Sequence, residues 1–345
     1  MNEVNKHIAD VNVYPQCNSF DPETHKPTAL LQQRINQFDK ELGFNSWNPR
    51  TLLDIGAGKG YFMHHWPSVQ RSEAIEFLEN IIVPSNCTLH KKKFLETVSL
   101  RTADVVLALR VCHNIFMETY SNYYLIKIAM ICKDRFLWES IEDLNSTTLS
   151  GIKAPLDKAK NEYHKRGLLA SKEEFWNMAN LFFDVEKQFT SPCKYEVVSF
   201  RRKLPPLKEY NGVIQNRREG DKWIKFHCEE RVMEYITCCQ LLGKTDHILS
   251  VLVKNGSYVG LEMKHLDDKE TVEDKKNKCK VLFADLCAYL LPIGYLPVDI
   301  VPQNVINDIP IDIAICQSVN LTFCKDVFRN QLLKNDIILH HQQLQ

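Results

Sequence analysis

Residues 51–62, TLLDIGAGKGYF, join a predicted strand through a glycine-rich loop to a predicted helix. Three apolar or β-forming residues lead into Asp54, and Gly56, Gly58 and Gly60 then recur at every second position. Because glycine has no Cβ, the backbone of such a loop can approach a ligand closely. The pattern predicts a small-molecule site at this loop.

Composition limits the classes of protein that this chain can be. Its 345 residues suit two domains of roughly 150 residues each. Apolar residues make up 44% and charged residues 25%, which is ordinary for a soluble globular protein. Lys and Arg total 43, as do Asp and Glu, so no net field draws the chain towards nucleic acid or an anionic membrane. Any nucleic-acid contact is expected to be local.

Cysteine placement and the lack of long apolar stretches predict a reduced, cytoplasmic protein. The 12 cysteines are scattered and form no CxxC pair of the kind that zinc sites use. The amino terminus, MNEVNKHIADVNVY, has no apolar signal core, and no stretch approaches the ~20 apolar residues that a membrane span needs. No transmembrane segment is therefore expected.

Strand and helix patterns alternate in the first half of the chain. After an irregular, proline-broken segment at residues 1–27, an apolar face at helical spacing predicts a helix that ends at Gly43. Further helices are predicted at TYSNYYLIKIAMIC and around KAKNEYHKRG. Strands are predicted before Asp54 and at AIEF (74–77), CTLHKKKF, ADVVLAL (103–109), RFLWES (135–140), FFDVEKQFT and KYEVVSF, the last two as an antiparallel pair. This alternation predicts an α/β domain over 28–202, with ligands at the carboxyl ends of its strands.

A carboxylate further along the chain lies where a nucleotide site with such a glycine loop would need it. Glu76 ends the second predicted strand about 20 residues after the loop, where its carboxylate can accept hydrogen bonds from both hydroxyls of a ribose. Asp54 precedes the loop, and the spacing is GxGxG rather than GxGxxG, which does not suit a dinucleotide. These residues favour a nucleotide-like cofactor, and a turn that binds no ligand is the alternative.

Four segments together resemble class I S-adenosylmethionine-dependent methyltransferases: LLDIGAGKGYF, AIEFLEN, ADVVLALRVCHNIF and FLWES. The resemblance covers roughly residues 28–200 and implies a Rossmann-like sheet. It implies that Gly56, Gly58 and the neighbouring backbone, Asp54 and Gly60 included, cradle the methionine moiety of S-adenosylmethionine.

The same resemblance implies roles for residues at the next strand ends. Glu76 would hold the ribose and Phe77 would lie against the adenine, while Leu109 and Arg110 would face the cofactor. His113 follows the fourth strand, where a general base would suit an alcohol or phosphate acceptor. Its alternative is a partly buried histidine that caps a helix.

The composition changes near Lys203, at LPPLKEYNG, and residues 203–345 are predicted to form a second domain. A strand carrying Lys225 is followed by a helix carrying Glu234, a hairpin, an acidic linker, a long helix and the sequence Asp299-x-x-x-x-Asn304. This order resembles a small, truncated α+β protein-kinase-like domain.

The kinase resemblance implies a second set of roles. Lys225 would contact ATP phosphates and Glu234 would orient it, while Asp299 would accept the proton of the substrate hydroxyl. Asn304 would help to hold Mg²⁺, together with Asp312. The sequence departs from the kinase pattern, because no glycine-rich loop precedes Lys225 and no Phe-Gly follows Asp312. A pseudokinase scaffold is therefore the alternative.

A methyltransferase followed by a kinase-like domain resembles the bifunctional enzymes that cap bacterial O-antigen polysaccharides. This resemblance implies an oxygen acceptor, with a phosphate or sugar terminus as the candidate, on a small molecule or a glycan. A non-catalytic scaffold and an RNA-modifying methyltransferase are the alternatives. For the latter, Lys91, Lys92 and Lys93 could form a local basic patch, although a solvated charge run is the better explanation of these residues. Nothing in the sequence indicates an oligomeric state.

Overall fold

Two compact units make up the chain, Met1–Arg202 and Lys203–Gln345. A computed structural model of the protein describes residues 26–76, 81–92, 94–95, 97, 100–109, 122–139, 172–192 and 195–317. Within these ranges, no helix is long and apolar enough to cross a membrane.

The first unit is built on a seven-stranded sheet. Its strands are β1 (Thr51–Ile55), β2 (Arg71–Ile75), β3 (Cys87–His90), β4 (Ala103–Leu109), β5 (Cys132–Glu139), β6 (Phe183–Thr190) and β7 (Glu196–Arg202). They lie in the order β3-β2-β1-β4-β5-β7-β6. Strands β1 to β5 run parallel, and β7 is antiparallel to both of its neighbours, β5 and β6. This mostly parallel α/β sheet is consistent with the predicted Rossmann-like methyltransferase fold.

The described helices of the first unit are α1 (Ala29–Leu42), α2 (Asn122–Ile131) and α3 (Lys172–Phe182). Helix α1 confirms the prediction from the apolar pattern, and Gly43 ends it in the left-handed conformation at φ 62°. Its buried face packs in one core with residues of β1, β4 and β5 and with an aromatic group around Phe44. Helix α1 is thereby held close to the central strands.

Two local predictions need correction. The second strand ends at Ile75 rather than at residue 77, so Glu76 lies just beyond it. The chain after Gly60 forms a short 3₁₀ turn, Tyr61–His64, where a longer helix was expected. The helix predicted around KAKNEYHKRG lies outside the described residues.

The second unit has a five-stranded sheet in the order β8-β11-β12-β10-β9. Its elements are β8 (Leu207–Glu209), β9 (Arg217–Glu219), β10 (Lys222–Phe226), α4 (Glu229–Leu241), β11 (Ile248–Lys254), β12 (Ser257–Lys264), α5 (Val272–Leu290), β13 (Tyr295–Val298), β14 (Val305–Ile306), β15 (Ile309–Pro310) and β16 (Ala314–Gln317). Strands β13 and β16 pair with each other, as do β14 and β15. The predicted order of strand, helix, hairpin and long helix is confirmed.

Candidate functional site

The carboxyl edge of the parallel sheet gathers the candidate residues of the first unit. Asp54 is the penultimate residue of β1 and pairs in register with Ala74 of β2 and Leu107 of β4. Leu109 ends β4 opposite Glu139, the last residue of β5. Because parallel strands end at one edge, four consecutive strands bring their terminal residues to the same place.

The glycine loop is held by backbone contacts that need glycine. Gly56 donates its N–H to the carbonyl of Ile75 at 2.7 Å, and Gly56, Gly58 and Gly60 all have positive φ, at 70°, 58° and 91°. Positive φ is costly for residues that have a Cβ. At Gly60 a Cβ would also lie 2.2 Å from the carbonyl oxygen of Ile82. Gly60 is thus required by packing as well as by conformation.

The side chain of Glu76 contacts this loop. Its Oε2 accepts a 2.7 Å hydrogen bond from the backbone N–H of Gly58. The carboxylate is buried, with 7% of the residue exposed. The loop after β1 and the end of β2 are therefore joined by a hydrogen bond to a charged acceptor, a class of bond that is stronger than the neutral kind.

Asp54 is a buried acid without a full set of donors. Only 2% of the residue is exposed, and its Oδ2 has no hydrogen-bond partner in the part of the chain that the structure describes. The pKa of Asp54 is raised to about 8, mainly by burial and then by the charge of Glu76, while Arg34 acts in the opposite direction. Desolvation disfavours the charged form of a carboxyl group, which explains the direction.

Arg34 and Glu139 form a buried ion pair beside Asp54, and the sequence reasoning assigned neither residue a role. Arg34 lies on α1 and Glu139 ends β5; both are fully buried. Arg34 shares the buried face of α1 with Leu31, Ile35 and Phe38. A charged residue in an otherwise apolar helical stripe is the signal that could have found it.

Three predicted residues of this site, Phe77, Arg110 and His113, lie outside the described residues. Asp54, Gly56, Gly58, Gly60, Glu76 and Leu109 all lie at the described carboxyl edge. The arrangement is rich in carboxyl groups, because Asp54 and Glu76 lie at this edge and Glu139 pairs with the guanidinium of Arg34. It is suited to a ligand that carries positive charge and hydroxyl groups.

The second unit brings Lys225 and Asp312 together. Lys225, on β10, donates a 2.7 Å hydrogen bond to the carbonyl of Ile311, and its Nζ lies 3.5 Å from Oδ2 of Asp312. The hairpin of β14 and β15 separates Asn304 from Asp312 in the chain. The carboxylate of Asp312 stays partly open to solvent, with 41% of its side chain exposed.

Asp299 and Asn304 delimit a tight turn before this hairpin. Asp299 has a φ of 62°, and its carbonyl accepts a 2.9 Å hydrogen bond from the amide of Asn304. The backbone carbonyl of Asn304 in turn accepts from the N–H of Ile311 at 2.8 Å. Asn304 thereby ties the turn to the residue next to Asp312.

In the part of the chain that the structure describes, Glu234 and Lys225 do not form the ion pair that the kinase resemblance implies. Lys225 makes its ion pair with Asp312 instead. Glu234 is buried on α4, where burial raises its pKa to about 7, with Glu230 acting in the same direction and Arg231 against it. Within the described residues, no group of three or more His, Cys, Asp or Glu side chains is arranged to hold a metal ion.

The sequence patterns did not predict a buried hydrogen-bond network that lies close to Asp312. The hydroxyl of Tyr235, on α4, donates to the carbonyl of Pro310 and lies 2.7 Å from Nε2 of His247. Burial lowers the pKa of His247 to about 4, so the ring is neutral near pH 7. Tyr235 links α4 to the strand that leads into Asp312. No sequence signal marks a tyrosine and a histidine at this spacing as partners.

Comparison with known proteins returns methyltransferases among solved structures. Neither a protein-family model nor a curated protein matches the chain. The N-methyltransferase NodS of Bradyrhizobium japonicum WM9, solved with S-adenosyl-L-homocysteine, is 10% identical, with 58% of this chain and 96% of NodS covered and a TM-score of 0.36.

Two further structures are similar at the same level. Magnesium protoporphyrin IX methyltransferase ChlM of Synechocystis PCC 6803, with bound SAM, is 12% identical, with 59% of this chain and 85% of ChlM covered and a TM-score of 0.34. The 16S rRNA methyltransferase RmtF is 12% identical, with 50% of this chain and 63% of RmtF covered and a TM-score of 0.33. The assignment of a Rossmann-like fold rests on the strand order of the seven-stranded sheet.

Proposed function

We propose that the first unit is an S-adenosylmethionine-dependent methyltransferase that acts on an oxygen acceptor. The main observation behind this proposal is that two acidic residues lie at the carboxyl edge of the parallel sheet. Asp54 is buried there, and the carboxylate of Glu76 is hydrogen-bonded to the glycine loop. When bound, S-adenosylmethionine supplies an electrophilic methyl group on a sulfonium centre.

The residues present fit this cofactor. The unpartnered Oδ2 of Asp54 suits an ammonium group, which would give a buried acceptor its missing donor. Gly56 and Gly58 offer backbone that a ligand can approach closely. Glu76 would hold the ribose hydroxyls, and Phe77 would lie against the adenine.

The acceptor is proposed to be a hydroxyl or phosphate oxygen on a small molecule or a glycan. Leu109 and Arg110, at the end of β4, would face the cofactor, and His113 would take the proton of a neutral hydroxyl. An anionic phosphate oxygen would need only alignment with the methyl group. An RNA acceptor is the competing proposal, and it predicts affinity for RNA that falls steeply with salt.

Titration calorimetry of the full chain with S-adenosylmethionine tests the cofactor. Binding is expected for the wild type and should weaken at least tenfold in Asp54→Ala and Glu76→Ala. Asp134→Ala is the matched control, since Asp134 makes a surface ion pair with Arg201 in the same unit. Absence of binding in the wild type, or equal binding in all three variants, would refute the proposal.

The second unit is a candidate kinase-like nucleotide site, and the observation that favours it is the approach of Lys225 to Asp312. In this proposal Lys225 contacts ATP phosphates, Asn304 and Asp312 hold Mg²⁺, and Asp299 receives the hydroxyl proton of the substrate. Glu234 would have to turn towards Lys225 when nucleotide binds. The alternative is a pseudokinase scaffold, in which the pair of Lys225 and Asp312 only stabilises the unit.

ATP with Mg²⁺ separates these two possibilities. A kinase should hydrolyse or transfer phosphate from ATP in a Mg²⁺-dependent manner, and Asp299→Ala should abolish that turnover. Glu219→Ala is the control, because Glu219 pairs with Arg217 on an exposed strand. A scaffold that binds nucleotide would show a thermal shift without turnover, and turnover that survives Asp299→Ala would exclude this residue as the base.

A further inference from the structure

The charges around Asp54 do not balance if all of its neighbours are ionised. Asp54 interacts electrostatically with the carboxyl group of Glu76 and with the guanidinium of Arg34, and each of these residues, like Glu139, is at most 7% exposed. Arg34 already forms an ion pair with Glu139. A charged Asp54 would therefore be a buried carboxylate with little compensation, which is costly.

The hydrogen bonds distinguish Asp54 from the other two acids. Oε2 of Glu76 accepts from the N–H of Gly58, and Oε2 of Glu139 accepts from the guanidinium of Arg34. Oδ2 of Asp54 receives no donor from the described residues. The groups that act on Asp54 are Glu76 beyond β2 and Arg34 on α1, and the thiol of Cys87 on β3 feels its charge. Asp54 is the acid best placed to keep its proton.

We propose that Asp54 carries a proton until a cationic group of the ligand docks against Oδ2, so that binding of S-adenosylmethionine releases this proton to solvent. The cationic group is the ammonium of the methionine moiety. The exchange is balanced: the carboxylic acid becomes a carboxylate, one proton leaves, and no covalent bond of the cofactor changes. This inference rests on the proposed function of the first unit.

Proton release has a defined pH dependence. Burial raises the pKa of Asp54 to about 8, so the acid is about nine-tenths protonated at pH 7 and about one-tenth protonated at pH 9. The ammonium of the ligand, with a pKa of about 8, also titrates in this range. Binding should therefore release a net amount of about 0.8 proton at pH 7. The affinity should rise about eightfold from pH 6 to pH 7 and pass through a maximum near pH 8, because the ligand has lost its ammonium charge at higher pH.

Titration calorimetry of the full chain in two buffers of different ionisation enthalpy, phosphate and Tris, measures this release. The wild type should show it with S-adenosylmethionine. The matched ligands are S-adenosyl-L-homocysteine and 5′-methylthioadenosine, two thioethers of adenosine of which only the first carries an ammonium group. The first should release the proton on binding, and the second should bind without releasing one.

Two variants identify the source of the proton. Asp54→Asn should bind S-adenosylmethionine more weakly and with no release, whereas Asp134→Asn, at the surface, should behave as the wild type. Binding of the cofactor without proton exchange at pH 7 would overturn this inference alone. Release that persists in Asp54→Asn would do the same, and an absence of any cofactor binding would instead overturn the proposed function.

Discussion

The backbone N–H of Gly58 donates a 2.7 Å hydrogen bond to Oε2 of Glu76. This bond joins the glycine loop that follows β1 to the end of β2, the two segments that the proposed cofactor site needs in a fixed relation. Glu76 thus has a structural role in addition to its proposed contact with a ribose. The two roles can be separated by the choice of substitution.

Glu76→Gln should retain part of the cofactor affinity, and Glu76→Ala should lose more. The glutamine side chain still presents a carbonyl oxygen to Gly58, although a hydrogen bond to a charged acceptor is worth about 1.5–3 kcal/mol and the neutral one less. We expect affinity for S-adenosylmethionine to fall about tenfold or more in Glu76→Ala, with Glu76→Gln between it and the wild type. Titration calorimetry gives both values, and equal losses would show that Gly58 does not depend on this acceptor.

Gly60→Ala should destabilise the first unit more than Gly43→Ala. Both glycines have positive φ, which costs a residue with a Cβ about 1–2 kcal/mol. At Gly60 the new Cβ also meets the carbonyl oxygen of Ile82 at 2.2 Å, whereas at Gly43 it meets only a side-chain oxygen of Ser46 at 3.3 Å. Thermal denaturation of the full chain compares the two variants. Equal decreases in the thermal midpoint would mean that the segment around Ile82 moves away from the new Cβ with no loss of stability.

Removing Arg34 should be costlier than removing the whole ion pair. Arg34→Met leaves Glu139 buried without its guanidinium, and breaking a buried pair in this way costs about 3–5 kcal/mol. The double variant Arg34→Met/Glu139→Leu removes both charges and should recover much of that loss. Chemical denaturation of the wild type, the single variants and the double variant gives the coupling energy. A double variant no more stable than Arg34→Met would contradict the expectation.

Asp54→Asn should become more stable relative to the wild type as pH rises from 4 to 8. The folded chain holds the proton of Asp54 up to a pKa of about 8, whereas the unfolded chain loses it near the ordinary aspartate pKa of 3.8. Unfolding in this window therefore releases a proton, and the free energy of unfolding falls with pH by at most about 1.4 kcal/mol per unit. Asparagine removes this contribution. Thermal midpoints of the two proteins at pH 5, 6, 7 and 8 should diverge, and parallel curves would show that Asp54 does not titrate between the states.

Much of the first unit could be predicted from local sequence patterns. The apolar stripe ending at Gly43 predicted α1, and the glycine spacing after Asp54 predicted the loop between β1 and β2, because both patterns act through neighbours in the chain. The end of β2 was misplaced by two residues, since Glu76 turns towards Gly58, a partner 18 positions away. In the second unit the order of the elements was predicted, but the contact of Lys225 was assigned to Glu234 rather than to Asp312.

The sequence alone determined where the glycines, the strand-end carboxyl groups and the helical stripes lie, because periodicity and backbone conformation are local properties. Only the tertiary structure decided that Arg34 meets Glu139 and that Lys225 meets Asp312, since these partners are distant in the chain and are brought together by packing. The same holds for the proton on Asp54. Its pKa depends on how completely Glu76, Arg34 and the surrounding strands remove water from it, which a sequence pattern does not encode.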